Sequence, residues 1–183
     1  MGRVAIFIDG GYLDKVLETE FDRARIDYRK LSEKIVGNQD HLRTYYYHCL
    51  PYQSNPPTTD ESDRFSRAQA FFYNLDRLPR FEVKQGRLAF RGFDSDGRPI
   101  FEQKKVDVMF SVDLVLLSVK TQITEAAIIA GDSDLLPAVE VAKREGVLIK
   151  LYHGNIQRPH TDLYNTADER IVINQDIINN VLR

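Results

Sequence analysis

The stretch RVAIFI at residues 3–8 is an almost unbroken apolar run rich in β-branched side chains, closed by DGG. A strand buried on both faces has this pattern, as in a parallel sheet. YLDKVLETEF then carries helical spacing. DYRKLSEKIVG (27–37), with its acidic start and terminal glycine, predicts a short helix. LRTYYYHCL (42–50) is aromatic and strand-like, PYQSNPPTTDESD (51–63) is a proline-punctuated polar loop, and RFSRAQAFFYNLDRL (64–78) is a helix. Alternation over 80–105, broken by a DSDG turn, predicts two strands of a hairpin. The long apolar segment VDVMFSVDLVLLSV (106–119) predicts a helix. EAAIIA (125–130) is a strand, DLLPAVEVAKREG a helix ending at Gly146, and VLIKLY (147–152) a strand. The tail reads as loop, a short element and a final helix.

Strands alternating with helices predict an α/β fold with a mostly parallel sheet flanked by helices. In such sheets ligands gather at the carboxyl ends of the strands, near the point where strand order reverses. Asp9 follows the first strand and Asp132 follows the strand at 125–130. If those two strands are neighbours, the acids converge.

Composition narrows the function classes. The chain has 183 residues, 43% apolar and 28% charged, which suits a globular chain organised as one domain over 1–183. A single cysteine, Cys49, excludes an intramolecular disulfide and points to a reducing cytoplasm. No apolar run reaches the length of a membrane span, and MGRVAIFIDGG has no secretory pattern, so no membrane partner is expected. The net charge of −2 excludes coating nucleic acid through bulk charge. Residues 77–105 differ from the rest, with eight basic side chains against four acidic. Phe81, Phe90, Phe93 and Phe101 are interleaved there. Cations for phosphates and aromatic faces for bases are how single-stranded nucleic acid is held. The alternative is a solvated hairpin whose Phe residues face the core. Arg87, Arg91, Lys104 and Lys105 are the candidates for guiding a nucleic-acid backbone. A homo-oligomer stays open.

The acids have structural explanations as well as chemical ones. Asp132, Ser133 and Asp134 stand where a helix wants a cap, with Pro137 in its first turn. Asp9 in IDGG suits a strand-to-helix turn. Asp107 and Asp113 alone carry charge in the apolar helix at 106–119, and a buried carboxylate is costly unless paired or bound to a cation. Lys104 or Lys105 could pair Asp107, whereas Asp113 has no local partner. Six positions apart, the two point about 240° from each other around a helix, so Asp107 is placed in the site and Asp113 beside it as an accessory acid. Clustered carboxylates about 4 Å apart repel by roughly 4 kcal/mol per pair, and a divalent ion removes that repulsion. Oxygen ligands suit Mg²⁺ or Mn²⁺, and the chemistry that follows is phosphodiester hydrolysis. The four histidines lack zinc spacing, and no GxGxxG, GxxxxGK[ST] or GxSxG motif occurs.

Taken in order, VAIFIDGGYL, KKVDVMFSVDL and AIIAGDSDLLPAVEVAKREGVLIKLY, with DLYNTADERI near the end, resemble the NYN domain family in its LabA-like branch, among the PIN-like nucleases. The resemblance implies a PIN-like, Rossmannoid three-layer sandwich with a β-hairpin insertion, and an acidic Mg²⁺ or Mn²⁺ pocket that cleaves RNA. The family's metal-site acids fall on Asp9, Asp107, Asp132 and Asp134, and Asp113 matches a further recurrent acid. Ser133 would orient a carboxylate or the attacking water. Where many members carry Asn after the first motif's glycines, this chain has Tyr12. The rival reading is a non-catalytic RNA-binding or regulatory module on the same fold. An aspartyl phosphatase of the haloacid-dehalogenase type needs a second acid two positions after Asp9, where Gly11 stands.

Overall fold

A computed structural model describes residues 2–183, with the side chains of Gln103 and Lys104 outside the description. Strands β1 (Arg3–Asp9), β2 (Asp40–Cys49), β3 (Phe81–Phe93), β4 (Pro99–Lys104), β5 (Glu125–Ile129), β6 (Leu148–His153) and β7 (Glu169–Val172) form one sheet. Its order is β4-β3-β2-β1-β5-β6-β7. Every pairing is parallel except β3 with β4, the hairpin closed by DSDG. The chain first builds outward from β1 on one side, through β2, β3 and β4. It then returns to lay β5 against the other side of β1. Strand order therefore reverses between β1 and β5, where the sequence places Asp9 and Asp132.

β1 explains why the sheet has two covered faces. Val4 through Ile8 have no exposed surface. Ala5 and Phe7 point to one side, where they meet Phe110 and Leu114 of α4 (Val106–Val119) and Val139 of α5 (Leu136–Arg144). Val4, Ile6 and Ile8 point to the other, against Leu13 and Val16 of α1 (Gly10–Glu20), Leu31 of α2 (Tyr28–Val36) and Phe72 of α3 (Thr59–Asp76). The period of two along a strand thus feeds two cores, giving three layers. α6 (Thr161–Thr166) sits on the first face, where Leu163 is buried. α7 (Gln175–Val181) sits on the second through Ile178 and Val181.

One boundary is corrected, and the choice left open for the hairpin's Phe residues is decided. Helix α3 begins at Thr59, so the loop ends five residues earlier than the polar composition of 51–63 suggests. Thr58 and Glu61 form a capping box: Glu61 N donates to Thr58 Oγ1 at 3.2 Å, and Thr58 N donates to Glu61 Oε2 at 2.8 Å. Reciprocal capping outweighs the run of poor helix formers after it. In the hairpin, only Phe81 joins the core. Phe90, Phe93 and Phe101 stay exposed and pack on one another and on Tyr52, with Tyr52–Phe101 ring centroids 4.9 Å apart.

Candidate active site at the sheet's reversal point

Four acids reach the reversal point from the starts of three helices. Asp9 ends β1 and caps α1, its Oδ1 accepting from Tyr12 N at 3.1 Å. Asp132 caps the 3-10 turn Ser133–Leu135, its Oδ1 accepting from Asp134 N at 2.9 Å. Asp134 stands exposed in that turn, and Asp107 lies in the first turn of α4. Cap and ligand are not exclusive, because both caps run through Oδ1 and a carboxylate has two oxygens.

Electrostatics show that these groups feel one another. Burial, and then the charges of Asp9, Asp132 and Asp134, push the Asp107 carboxyl up to about 6. A helix N-terminus ordinarily stabilises a carboxylate, so here burial and like charge win over the dipole. Burial also raises Asp9, and Asp132 adds to that, while the Tyr12 N–H and His48 pull it back. Among the described residues, no three His, Cys, Asp or Glu side chains stand close enough, as arranged, to hold one ion together. The donor set nonetheless fits a hard cation held by one or two carboxylates and by water, as Mg²⁺ usually is.

Lys105 sets the angle at which α4 enters the site. It is the single residue between β4 and α4 and adopts the left-handed region at φ 74°. A non-glycine residue there is strained, and Asp107 follows two positions on, in the first turn of α4.

Asp113 faces elsewhere. Tyr47 Oη donates to its Oδ2 at 2.9 Å, and Lys84 Nζ lies 2.8 Å from Oδ1 and 2.7 Å from Oδ2. Its partners come from β2 and β3, which local sequence could not reveal. Replacing one member of such a pair strands the others. Asp113→Leu is therefore expected to lower stability by about 2 kcal/mol, measured by denaturant unfolding, through the lost Tyr47 and Lys84 contacts.

The sequence reading passed over the cleft's opposite wall. Beside Asp9, Asp132 and Ser133, a cleft of about 910 Å³ is lined by Lys15, His48, Arg158 and His160, with Phe101 at one edge. His48 Nδ1 accepts from Cys49 N at 2.8 Å, so the neutral ring carries its proton on Nε2, 3.0 Å from Asp14 Oδ2. The only available signal was position. His48 lies at the carboxyl end of β2, one residue past the Asp9–Tyr47 pairing.

Loop 154–160 brings Arg158 and His160 over the acids, and α1 holds it there. The Glu20 carboxylate accepts from Asn155 N at 2.8 Å, Ile156 N at 3.0 Å and Gln157 N at 2.9 Å. Tyr12 Oη donates to Gln157 O at 2.5 Å and accepts from Gly154 N at 3.2 Å, and His160 N donates to Gly131 O at 2.9 Å. The Tyr12 ring occupies the space a side chain at position 131 would need, 2.5 Å from where a Cβ would sit, so that residue is glycine. Tyr12 is thus a buttress for the cleft.

Of the basic candidates, Arg87 is exposed on β3, while Arg91 is paired with Glu102. Lys105 is exposed next to Asp107 and Asp134. The side chain of Lys104 lies outside the described residues.

A mostly parallel α/β sheet with carboxylates gathered at its reversal point is the PIN-like, nuclease-type architecture. The NYN domain model matches residues 3–174, nearly the whole chain, and the chain belongs to that family. The finer LabA-like placement rests on the motifs alone. The crystal structure of a protein of unknown function from Vibrio parahaemolyticus RIMD 2210633, VPA0982, is similar in fold, with a TM-score of 0.65 and 18% identity. The match covers 100% of this chain and 96% of that one. No curated protein matches the sequence. No described helix is long and apolar enough to cross a membrane.

Proposed function

We propose that residues 1–183 act as one domain, a divalent-metal-dependent ribonuclease that hydrolyses single-stranded RNA at the β1–β5 reversal point. The observation that carries this is the Asp107 carboxyl, pushed up to about 6 with Asp9, Asp132 and Asp134 among the causes. Like charges that burden the Asp107 carboxylate in this way are relieved by a cation that one or two of them hold together with water. Asp9, Asp107, Asp132 and Asp134 would hold Mg²⁺ or Mn²⁺, which supplies an acidic bound water and positive charge for the phosphoryl oxygens. Asp107 takes the proton of the attacking water as the water oxygen bonds to phosphorus. The bond from phosphorus to the leaving ribose oxygen breaks, and that oxygen takes a proton from solvent. Ser133 orients the water, Lys15, Arg158 and His160 hold the backbone, and Phe101 offers a face for one base.

Labelled single-stranded RNA incubated with Mn²⁺ tests this. Cleavage is expected to stop with a chelator and to fall by at least about a hundredfold in Asp107→Asn. RNA that is bound but never cut would favour the non-catalytic module instead. Removing the aromatic shelf separates binding from chemistry. Phe101→Ala is expected to weaken RNA affinity by about 1–3 kcal/mol, and Arg87→Glu to reduce its salt dependence. Equilibrium binding in chelator reads both.

A further inference from the structure

The outward face of α4 inverts the usual pattern of a surface helix. Its exposed positions are Val108, Val112, Leu116 and Val119, each between 46% and 65% exposed. They follow one another at intervals of four, four and three, a single stripe along the helix. Of the helix's two charged residues, Asp113 turns away to Lys84 and Tyr47, and Asp107 stands at the groove's end. α5 flanks the stripe with Pro137 and Val141, and together the helices form a groove of about 1020 Å³. A helix in a globular protein ordinarily turns such a stripe inward, and a contiguous apolar patch left outside marks an interaction surface.

We propose that this face is a homodimer interface, in which the α4 stripes of two copies pack antiparallel about a two-fold axis. Symmetry and charge select a second copy as the occupant. An axis midway along the stripe sets Val112 of each copy against Leu116 of the other, so the pattern is complementary to itself. Val108 and Lys120 lie equally far from Leu114 at the midpoint. The same axis therefore brings Lys120 of one copy to the Val108 end of the other, beside Asp107 and Asp134. A parallel pairing would set those acids against their own copies. RNA is disfavoured as the occupant because the groove is lined chiefly by apolar side chains, which offer its phosphates no partners.

Sedimentation velocity from about 1 to about 100 µM, where interfaces of modest area dissociate, is the test. The parent chain is expected to pass from monomer to dimer across that range. Val112→Lys with Leu116→Lys should stay monomeric throughout, with its thermal melt preserved. If that variant does not fold, a second one decides. Val112→Cys with Leu116→Cys, oxidised by glutathione disulfide, is expected to give a covalent dimer on a non-reducing gel, and the buried Cys49 does not compete. A parent chain that is monomeric at every concentration, a dimer that survives the lysines, or a cysteine pair that never cross-links would each overturn the proposal.

Discussion

Changing Asp132 and Asp134 together to Asn is expected to lower RNA cleavage by several orders of magnitude while making the metal-free protein melt higher. The two effects have different origins. Asn is nearly as good a cap as Asp, so the Asp134 N–H that now bonds to Asp132 Oδ1 at 2.9 Å keeps an acceptor. Capping alone thus predicts a stability change within about 1 kcal/mol and no change in rate. Burial is the main cause of the raised Asp107 carboxyl, and removing two of the charges that add to it relieves repulsion and raises the metal-free melting temperature. The same loss deprives an ion of its ligands, so Mn²⁺ should no longer stabilise the variant. Thermal melts with and without Mn²⁺, beside a cleavage assay, read all three. Parental cleavage by the double variant would reduce these residues to caps.

Acidification is expected to move two curves in opposite directions. The folded-state Asp107 carboxyl, at about 6, lies above its ordinary 3.8. Between those values the folded chain keeps a proton that the unfolded chain has released, so acid favours folding. The ionised group's destabilisation is fully present above about pH 6 and fades as pH falls toward 4. A metal binds the ionised form and must displace that proton, so its apparent affinity weakens through the same window, by up to about tenfold per pH unit. The melting temperature without metal, taken as parent minus Asp107→Asn, should therefore rise as pH drops from 7 to 5. The increment due to Mn²⁺ should shrink over that interval. If the increment stays flat, Asp107 does not face the ion.

Much of the architecture was legible because its signals are local. RVAIFI announces a doubly buried strand, and VDVMFSVDLVLLSV coincides with α4 at both ends. The start of α3 was missed because composition was weighed above the Thr58–Glu61 pair. β7 was read only as a short element because Glu169–Val172 has two exposed charged residues at its start and an exposed Val172, with no alternation to see. The acids of the site were visible as carboxylates following strands. Their basic counterparts were not, because Lys15, His48, Arg158 and His160 come from parts of the chain up to about 145 residues apart and share no motif. Asp113 was partnerless by proximity in sequence, yet Lys84, 29 positions earlier, pairs it.

The way loop 154–160 is held has a consequence for how this protein can change. Glu20 grips backbone N–H groups of three successive residues, and Tyr12 bonds to the backbone at Gly154 and Gln157. Every residue but proline offers the same N–H, so these anchors do not depend on which side chains the loop displays. Glycine is required at 154, where the Glu20 carboxylate fills the space of a Cβ, while Gln157, Arg158 and His160 already carry full side chains into the cleft. Mutation can rewrite the groups presented to a ligand without disturbing the posture that presents them. Fixed grip and variable display make this loop a place where an inherited scaffold can acquire new preferences one substitution at a time.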